Sequence, residues 1–323
     1  MIDRTQEDIM RGWQGEMEQP LVSVRCITYN HEPYIAQALD GFLMQKTNFP
    51  FEVIVHDDAS PDRTADIVRE YERKYPKIIK AIYQTENQYS KGDGSINRIM
   101  NEACKGKYIA LCEGDDYWID ENKLQMQVDF LEKNPEYGMC FHGAIEHYED
   151  GSRPDTIFSK LKTKEYSCKE IVTHWIIPTA SIVFLSDYLT DGLYLQVLQD
   201  QRVFYGDKPL YILLATRSKI WGMSNVMSVY RKHEGGAVYN FSFNRSYRNF
   251  FQTVAFIEYF PKAKKPLSLL KMRIAAYNCS IAIFKKEWNT ASCFFKLGIL
   301  SNLFMVPLYM IKNFFRKDKI MKL

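Results

Sequence analysis

Short apolar runs alternate with segments of helical periodicity from residue 20 to residue 135. The apolar runs are rich in Val and Ile, as buried strands are. They cover residues 22–27, 51–55, 78–83 and 108–112. Between them, apolar positions recur at spacings of three and four, which is typical of helices packed against a sheet. The alternation predicts an α/β fold, in which a mostly parallel sheet is covered by helices on both faces.

The pattern is less regular after residue 135 and becomes helical near residue 240. It predicts strands over 139–147, 180–185 and 220–230, a helix over 210–214, and helices from about 240 to the end. In the first part, Ser60 before Pro61 predicts the start of a helix. We therefore expect a lead-in (1–19), an α/β domain (20–239, with halves 20–135 and 136–239) and a helical C-terminal tail (240–323).

The composition is that of a globular protein, and it excludes several classes. Of the 323 residues, 46% are hydrophobic and 25% are charged, which rules out a disordered chain. The seven cysteines are an odd number, and no Cys-x-x-Cys pair or apolar leader is present. These features disfavour a secreted disulfide scaffold and a structural zinc site, and they predict reduced thiols in a cytosolic protein.

The net charge of +3 is divided unevenly along the chain. Residues 241–323 carry 15 basic residues against three acidic ones, whereas the rest of the chain has an acidic excess. An acidic body with a basic, aromatic tail predicts that the tail meets an anionic partner.

Clusters of acidic residues follow two of the predicted strands. Asp57 and Asp58 come after the second strand, and Glu113, Asp115 and Asp116 come after the fourth. Turn formation by Asp and Gly is an equally weighted alternative for either cluster alone. The carboxyl ends of parallel strands share one sheet edge, where like charges about 4 Å apart repel by roughly 4 kcal/mol at an effective dielectric of about 20. A hard cation such as Mg²⁺ or Mn²⁺, bridging to a nucleotide diphosphate, would relieve that repulsion.

These residues resemble the family 2 glycosyltransferases of the GT-A fold, of the bacterial surface-polysaccharide type. The resemblance covers residues 20 to about 236 and is carried by four segments: 27–30, 57–62, 113–118 and 123–127. It implies an inverting transfer of a sugar from a nucleotide donor, usually a UDP-sugar, with Mg²⁺ or Mn²⁺. It also makes 20–135 the nucleotide-binding half of the catalytic domain and 136–239 the acceptor half.

The resemblance also implies roles for individual residues in the nucleotide half. Asp116 matches the acid that ligates the metal, and Asp115 matches the neighbour that holds the donor ribose or sugar. Asp58 matches the acid that reads the nucleobase edge, with Asp57 beside it. The first-strand backbone would touch the base at Ile27 and Thr28. The segment that closes over the donor would contain Asn97 and Arg98, for which a plain helix surface is an equal alternative.

An inverting transfer needs a base to accept the proton of the acceptor hydroxyl. Asp207, in the segment 206–210, resembles the family's catalytic base. A helix N-cap is the structural alternative for this aspartate, since Pro209 follows in the first turn. Asp200 and Asp187 are the second choices.

The segment 230–236 resembles the end of the family's catalytic domain. Its Arg231 could neutralise phosphate, and its His233 could be an additional ligand of the metal or the diphosphate. A hydrogen-bonded surface role for His233 is equally weighted. The other histidines have no metal-ligand spacing, and we expect them to be structural: His31, His56, His142, His147 and His174.

Residues 297–311 form the most apolar stretch of the tail. As a helix they would reach about 22 Å, which is less than the ~30 Å hydrocarbon core. Basic residues follow at Lys312, Arg316, Lys317, Lys319 and Lys322. The combination favours a helix lying on an anionic membrane surface, with a cap packed on the domain as the alternative. The acidic body disfavours nucleic acid as a partner. With the resemblance, this predicts a peripheral protein at the cytoplasmic face of the inner membrane, acting on a glycan or lipid-linked acceptor.

Two other functions compete with sugar transfer. A sugar-phosphate nucleotidyltransferase would need a glycine-rich loop after the first strand, where this chain has residues 28–31 without glycine. A non-catalytic nucleotide-sugar-binding protein on the same fold would need no base. The presence of Asp115, Asp116 and Asp207 together therefore favours the enzyme.

Overall fold

A computed structural model describes residues 3–16, 18–174, 176–236, 239 and 243–299. Its described strands form one ten-stranded sheet with the path β3-β2-β1-β4-β9-β6-β10-β5; β7 pairs with β6, and β8 with β10. The strands are β1 (Val22–Thr28), β2 (Phe51–Asp57), β3 (Ile79–Tyr83), β4 (Tyr108–Leu111), β5 (Tyr117–Trp118), β6 (Tyr137–Tyr148), β7 (Thr156–Ile157), β8 (Lys164–Glu165), β9 (Val183–Leu185) and β10 (Lys219–Lys232).

Parallel pairing dominates the long strands. β3, β2, β1 and β4 are mutually parallel, and β6 is parallel to β10. β9 joins the two blocks by running antiparallel to both β4 and β6, and β5 is antiparallel to β10. The predicted mixed α/β architecture with a mostly parallel sheet is therefore confirmed.

Helices cover both faces of the sheet. They are α1 (Gln6–Met10), α2 (Ile35–Leu43), α3 (Thr64–Lys74), α4 (Ser95–Ala103), α5 (Lys123–Lys133), α6 (Cys168–Thr173), α7 (Gly192–Leu198), α8 (Asp207–Arg217), α9 (Phe243–Tyr259), α10 (Lys264–Phe284) and α11 (Trp288–Ile299). Tyr108 and Ala110 of β4 belong to one buried apolar cluster, and Ile109 between them belongs to another. Since successive strand residues point to opposite faces, the two clusters lie on the two sides of the sheet.

One local expectation is wrong. The helix predicted to begin after Ser60 begins at Thr64, because Ser60 donates its hydroxyl to Asp57 (2.5 Å) and belongs to the turn. The carboxylate of Asp62 instead accepts the backbone N–H of Thr64 (3.0 Å). The lead-in is part of the packed structure, since the side chain of Ile9 is 2% exposed within the first cluster.

The described part of the tail packs on the α/β domain. Phe256 of α9, Phe260 directly after α9, and Leu267 of α10 lie in the second apolar cluster with α8. Arg273 of α10 also donates to the carbonyl oxygen of Thr173 in α6 (2.8 Å). Among the described residues, no helix has both the length and the apolar character needed to cross a membrane. The basic segment predicted to lie on a membrane falls in residues 300–323, outside the described part.

Candidate active site

The ends of β1, β2 and β4 bring the two acidic segments to either side of β1. The backbone N–H of Asp58 donates to Thr28 O (3.0 Å), and that of Gly114 donates to Ile27 O (2.9 Å). A Cβ atom on Gly114 would lie 2.7 Å from Thr28 Oγ1, so glycine is required for this close approach. The carboxyl-end clustering expected from the alternating pattern is therefore present.

The acids after β2 are held by nearby donors. Asp57 accepts the backbone N–H and the hydroxyl of Ser60, which closes the turn after the strand. Asp58 accepts the backbone N–H groups of Gln88 (2.7 Å) and Tyr89 (2.9 Å). Asp57 thus has a structural task, and Asp58 fixes the segment after β3 against the sheet edge.

Asp115 lies between two histidines. Its Oδ2 is 3.1 Å from His233 Nε2 and 3.9 Å from His31 Nε2. Burial raises the pKa of Asp115, but the hydrogen bond from His233 and the charges of both histidines bring it below its ordinary value. Burial also lowers the pKa of His31. The site therefore favours an ionised Asp115 beside a neutral His31. These are the protonation states in which the two side chains bind metals.

This cluster fits a divalent cation. One ligand atom from each of His31, Asp115 and His233 lies within 4.8 Å of the others. Nδ1 of His31 is buried and has no hydrogen-bond partner among the described residues. Two imidazole nitrogens and a carboxylate oxygen suit Mn²⁺ better than Mg²⁺, which is bound mainly through oxygens.

The predicted metal ligand Asp116 is not a member of this cluster. Its Oδ1 accepts the backbone N–H of Arg231 (2.8 Å), and the residue is 3% exposed. Burial and the neighbouring Asp115 raise its pKa. The candidate cluster therefore contains Asp115 rather than Asp116, and it includes His31, which the sequence suggested was structural. The role of Asp116 as a metal ligand stays a prediction.

Arg231 is occupied within the protein. Its Nε donates to the carbonyl oxygen of Asp115 (2.6 Å), its Nη2 to Gln37 Oε1 (2.8 Å), and its Nη1 to Glu149. The guanidinium lies 4.7 Å from the ring centroid of Tyr34. These contacts link the acidic segment after β4 to β10. They differ from the contact with phosphate that the sequence predicted for Arg231.

Asp207 is the first residue of α8, and the N-cap position belongs to Gly206. Asp207 Oδ1 accepts the backbone N–H of Lys208 (2.7 Å), and burial raises the pKa of its carboxyl. Burial, then Asp115, and then Asp207 also raise the pKa of Glu113 to about 8. Asp207 therefore lies within electrostatic reach of the acidic segment after β4, although nearly a hundred residues separate them in the chain.

The second-choice bases lie in different surroundings. Asp187 follows β9, which is antiparallel to β4, so it lies at the opposite sheet edge from Asp115. Asp200 forms an ion pair with Arg202 (2.6 Å), whose hydrogen bonds lower the pKa of that carboxyl to about 2.

Arg25 is a buried residue that sequence reasoning did not identify. Its guanidinium donates to Asn97 Oδ1 (2.6 Å) and Asn101 Oδ1 (3.0 Å). A Cβ atom on Gly206 would lie 3.3 Å from Asn97 Nδ2, so Asn97 packs against the start of α8. The structure thus places Asn97 between Arg25 and the residue before Asp207. The signal available in the sequence was the presence of a charged residue, Arg25, inside the mostly apolar strand β1.

Comparisons with known proteins agree with this architecture. The model of the family described as glycosyl transferase family 2 matches residues 23–189. The chain therefore belongs to glycosyl transferase family 2.

An uncharacterized protein of Mycobacterium tuberculosis is 37% identical over 216 residues, which cover 67% of this chain and 60% of that protein. The Escherichia coli protein WfgD is described as a UDP-Glc:alpha-D-GlcNAc-diphosphoundecaprenol beta-1,3-glucosyltransferase. It is 33% identical over 118 residues, or 36% of this chain and 44% of WfgD. The chain thus spans about 60% or less of the length of these relatives.

Among solved structures, residues 1–349 of S. aureus TarS in complex with UDP-GlcNAc superpose with a TM-score of 0.64. The sequence identity is 18%, and the match covers 90% of this chain and 88% of that one. At this identity the likeness concerns the fold, which is GT-A.

Proposed function

We propose that the chain is an inverting glycosyltransferase that moves a sugar from a nucleotide-diphosphate donor to a hydroxyl group of a glycan or lipid-linked acceptor. The observation that carries the proposal is that the acidic segment which supplies Asp115 to the His31–Asp115–His233 cluster also contains Glu113, which lies within electrostatic reach of the half-buried Asp207. A nucleotide-sugar-binding protein would need the metal cluster but not Asp207 as a base. Family membership supports the reaction class.

In this proposal, Asp207 is the general base. Its Oδ1 accepts from Lys208, which leaves Oδ2 to take the proton of the acceptor hydroxyl. The hydroxyl oxygen then bonds to the anomeric carbon while the bond from that carbon to the diphosphate oxygen breaks. The sugar configuration inverts because attack and departure occur on opposite faces. Burial of Asp207 raises the pKa of its carboxyl, which strengthens it as a proton acceptor.

The departing diphosphate needs positive charge rather than a proton. His31, Asp115 and His233 would hold Mn²⁺, or Mg²⁺ less favourably, and this ion would supply that charge. Arg231 donates a hydrogen bond to the backbone carbonyl oxygen of Asp115 and so holds that residue in place. Its effect on the diphosphate would therefore be indirect, through Asp115.

For the donor we propose a UDP-sugar. Its base would lie at the end of β1, along the backbone of Ile27 and Thr28 and beside Asp58. Thr28 Oγ1 is buried and has no hydrogen-bond partner among the described residues, so it is available to a bound ligand. WfgD, described as using UDP-Glc, and the TarS complex with UDP-GlcNAc support this choice.

We also propose that the protein acts in surface-polysaccharide synthesis at the cytoplasmic face of a membrane. The basic excess of residues 241–323 and the lipid-linked acceptor in the description of WfgD support this location. Co-sedimentation with anionic phospholipid vesicles tests it. We expect binding that is lost when residues 300–323 are removed, and equal recovery with neutral vesicles would contradict the proposal.

Thermal shift with nucleoside diphosphates tests the donor site. We expect UDP with Mn²⁺ to raise the Tm most, by about 5 °C at a hundredfold excess over Kd. Asp115→Asn should abolish the Mn²⁺-dependent part of the shift. The matched control Asp129→Asn, on the exposed side of α5, should retain it. Absence of a metal-dependent shift with every nucleotide would contradict the proposal.

A further inference from the structure

Arg25 is a buried cation that connects β1 to α4. The residue is 6% exposed and lies in a strand that pairs with β2 on one side and β4 on the other. Its Nη2 donates to Oδ1 of Asn97 (2.6 Å), and its Nη1 donates to Oδ1 of Asn101 (3.0 Å). The two asparagines are four residues apart, so they lie on one face of α4. The guanidinium therefore fixes α4 at two points along its length.

Packing alone does not require a cation at this position. The residues beside Arg25 on the neighbouring strands are Ile54 and Leu111, and both are apolar. Burying a guanidinium against uncharged amide oxygens costs free energy, which an apolar side chain would avoid. The benefit of Arg25 therefore lies in geometry, because its planar fork holds two acceptors at a fixed separation.

The residue before the candidate base is held from two sides. Asn97 packs against Gly206, since a Cβ atom on that glycine would lie 3.3 Å from Asn97 Nδ2. The hydroxyl of Tyr194, in α7, donates to the carbonyl oxygen of Gly206 (3.1 Å). Among the described residues, no side chain donates to the carboxylate of Asp207, which accepts the backbone N–H of Lys208. The direction of that carboxylate therefore depends on the backbone at Gly206.

The two asparagines that bind Arg25 differ in their other contacts. Nδ2 of Asn101 donates to the carbonyl oxygen of Leu189 (3.2 Å), in the segment after β9. Of the two, Asn97 is the one that packs against Gly206. They form a matched pair, because each accepts one hydrogen bond from Arg25 and only the surroundings differ.

We propose that Arg25 is a positioning residue of the transfer reaction, which acts through Asn97 on Gly206 and so orients the carboxylate of Asp207. This inference rests on the proposed function of Asp207 as the base. Asn97 also lies in the segment that the family resemblance places over the donor, so the test separates an effect on the base from an effect on the donor.

The first measurement needs neither donor nor acceptor. Protein isotope-labelled at the aspartate carboxyl carbons is titrated by NMR, and Asp207→Asn identifies the signal of Asp207. In the wild type we expect a pKa above the ordinary value for aspartate, because of burial. Asn97→Ala should return that pKa toward the ordinary value, since the segment before the base loses its contact with α4. Asn101→Ala should leave it unchanged, although both variants lose a hydrogen bond from Arg25 and their Tm should fall alike.

A variant of Arg25 itself completes the titration. Arg25→Met should reproduce the effect of Asn97→Ala on the pKa of Asp207. Loss of a nearby cation alone would raise that pKa, so a fall reports a change of position. If Arg25→Met does not fold, Arg25→Lys takes its place, since lysine keeps the charge but presents one ammonium instead of the fork. Equal pKa values of Asp207 in Asn97→Ala and Asn101→Ala would overturn the proposal.

The second measurement is the release of UDP from UDP-Glc and from UDP-GlcNAc, with GlcNAc-diphosphoundecaprenol as the acceptor. We expect Asn97→Ala to lower kcat about tenfold with the donor KM unchanged, because a displaced base takes the proton less efficiently. Asn101→Ala should stay within about twofold of the wild type. A raised donor KM with an unchanged kcat in Asn97→Ala would assign this residue to the donor and overturn the proposal.

Combining Asn97→Ala with Asp207→Asn separates this proposal from the proposed function. If Asn97 acts through the base, the double variant should be no slower than Asp207→Asn alone. A slow Asp207→Asn together with a normal Asn97→Ala overturns the positioning role and leaves the base in place. Release of UDP by Asp207→Asn at the wild-type rate overturns the proposed function, whatever the NMR titration shows.

Discussion

Replacement of Asp207 by asparagine separates catalysis from folding. Asparagine has nearly the same shape, and its amide oxygen can still accept the backbone N–H of Lys208, which Asp207 accepts at 2.7 Å. The variant loses only the ability to take a proton. A general base contributes about 10²–10⁴-fold to the rate, or roughly 3–5 kcal/mol in activation free energy. We therefore expect kcat to fall by that factor while donor binding is unchanged.

The stability of the Asp207→Asn variant follows from the burial of the carboxyl. Burial raises the folded-state pKa of Asp207 above that of the unfolded chain. The ionised carboxylate therefore destabilises the folded state, and stability falls as pH rises from the unfolded pKa to the folded one. At neutral pH we expect a Tm equal to or above that of the wild type, which would exclude misfolding as the cause of lost activity.

The assay is acceptor-dependent release of the nucleoside diphosphate, with donor affinity measured separately by thermal shift. Asp200→Asn is the matched control, because Asp200 is paired with Arg202 and should be dispensable for the chemistry. Turnover by Asp207→Asn within about threefold of the wild type would refute the assignment of the base.

Three further outcomes are expected. Gly114→Ala should lower the free energy of unfolding by about 1–3 kcal/mol in chemical denaturation, since its Cβ would lie 2.7 Å from Thr28 Oγ1; an unchanged value would contradict the close approach. His31→Asn should lose Mn²⁺-dependent stabilisation in thermal shift, whereas His147→Asn, outside the cluster, should keep it; equal loss in both would exclude His31 as a ligand. The pKa of Glu113 is raised to about 8, so ionisation of its carboxyl destabilises the folded protein. The metal-free wild type should therefore lose stability relative to Glu113→Gln as pH rises from about 4.5 to 8, with no further change above 8. A difference in Tm between the two proteins that stays constant across that range would refute the shift.

Sequence reasoning predicted the fold because its signals are local. The apolar runs and helical spacings of residues 20–135 mark elements that do not depend on distant contacts. The parallel arrangement then places the ends of β1, β2 and β4 at one edge, so the association of Thr28, Asp58 and Gly114 could be anticipated.

The direction of individual side chains could not be predicted in the same way. Asp115 and Asp116 are adjacent, and only the packing of β10 determines that Asp116 accepts from Arg231 while Asp115 faces His233. His31 joins the cluster through a turn that follows β1, and its sequence spacing to His233 carries no information about their proximity. Its position just after a strand of the predicted edge was the one available signal.

Anomalous diffraction from crystals grown with Mn²⁺ and UDP tests the central claim most directly. The account predicts one Mn²⁺ peak within coordination distance of His31, Asp115 and His233, bridged to the diphosphate, with the Asp207 carboxylate facing the same cleft. A Mn²⁺ peak on other residues, or a diphosphate bound on a surface that Asp207 does not face, would contradict it.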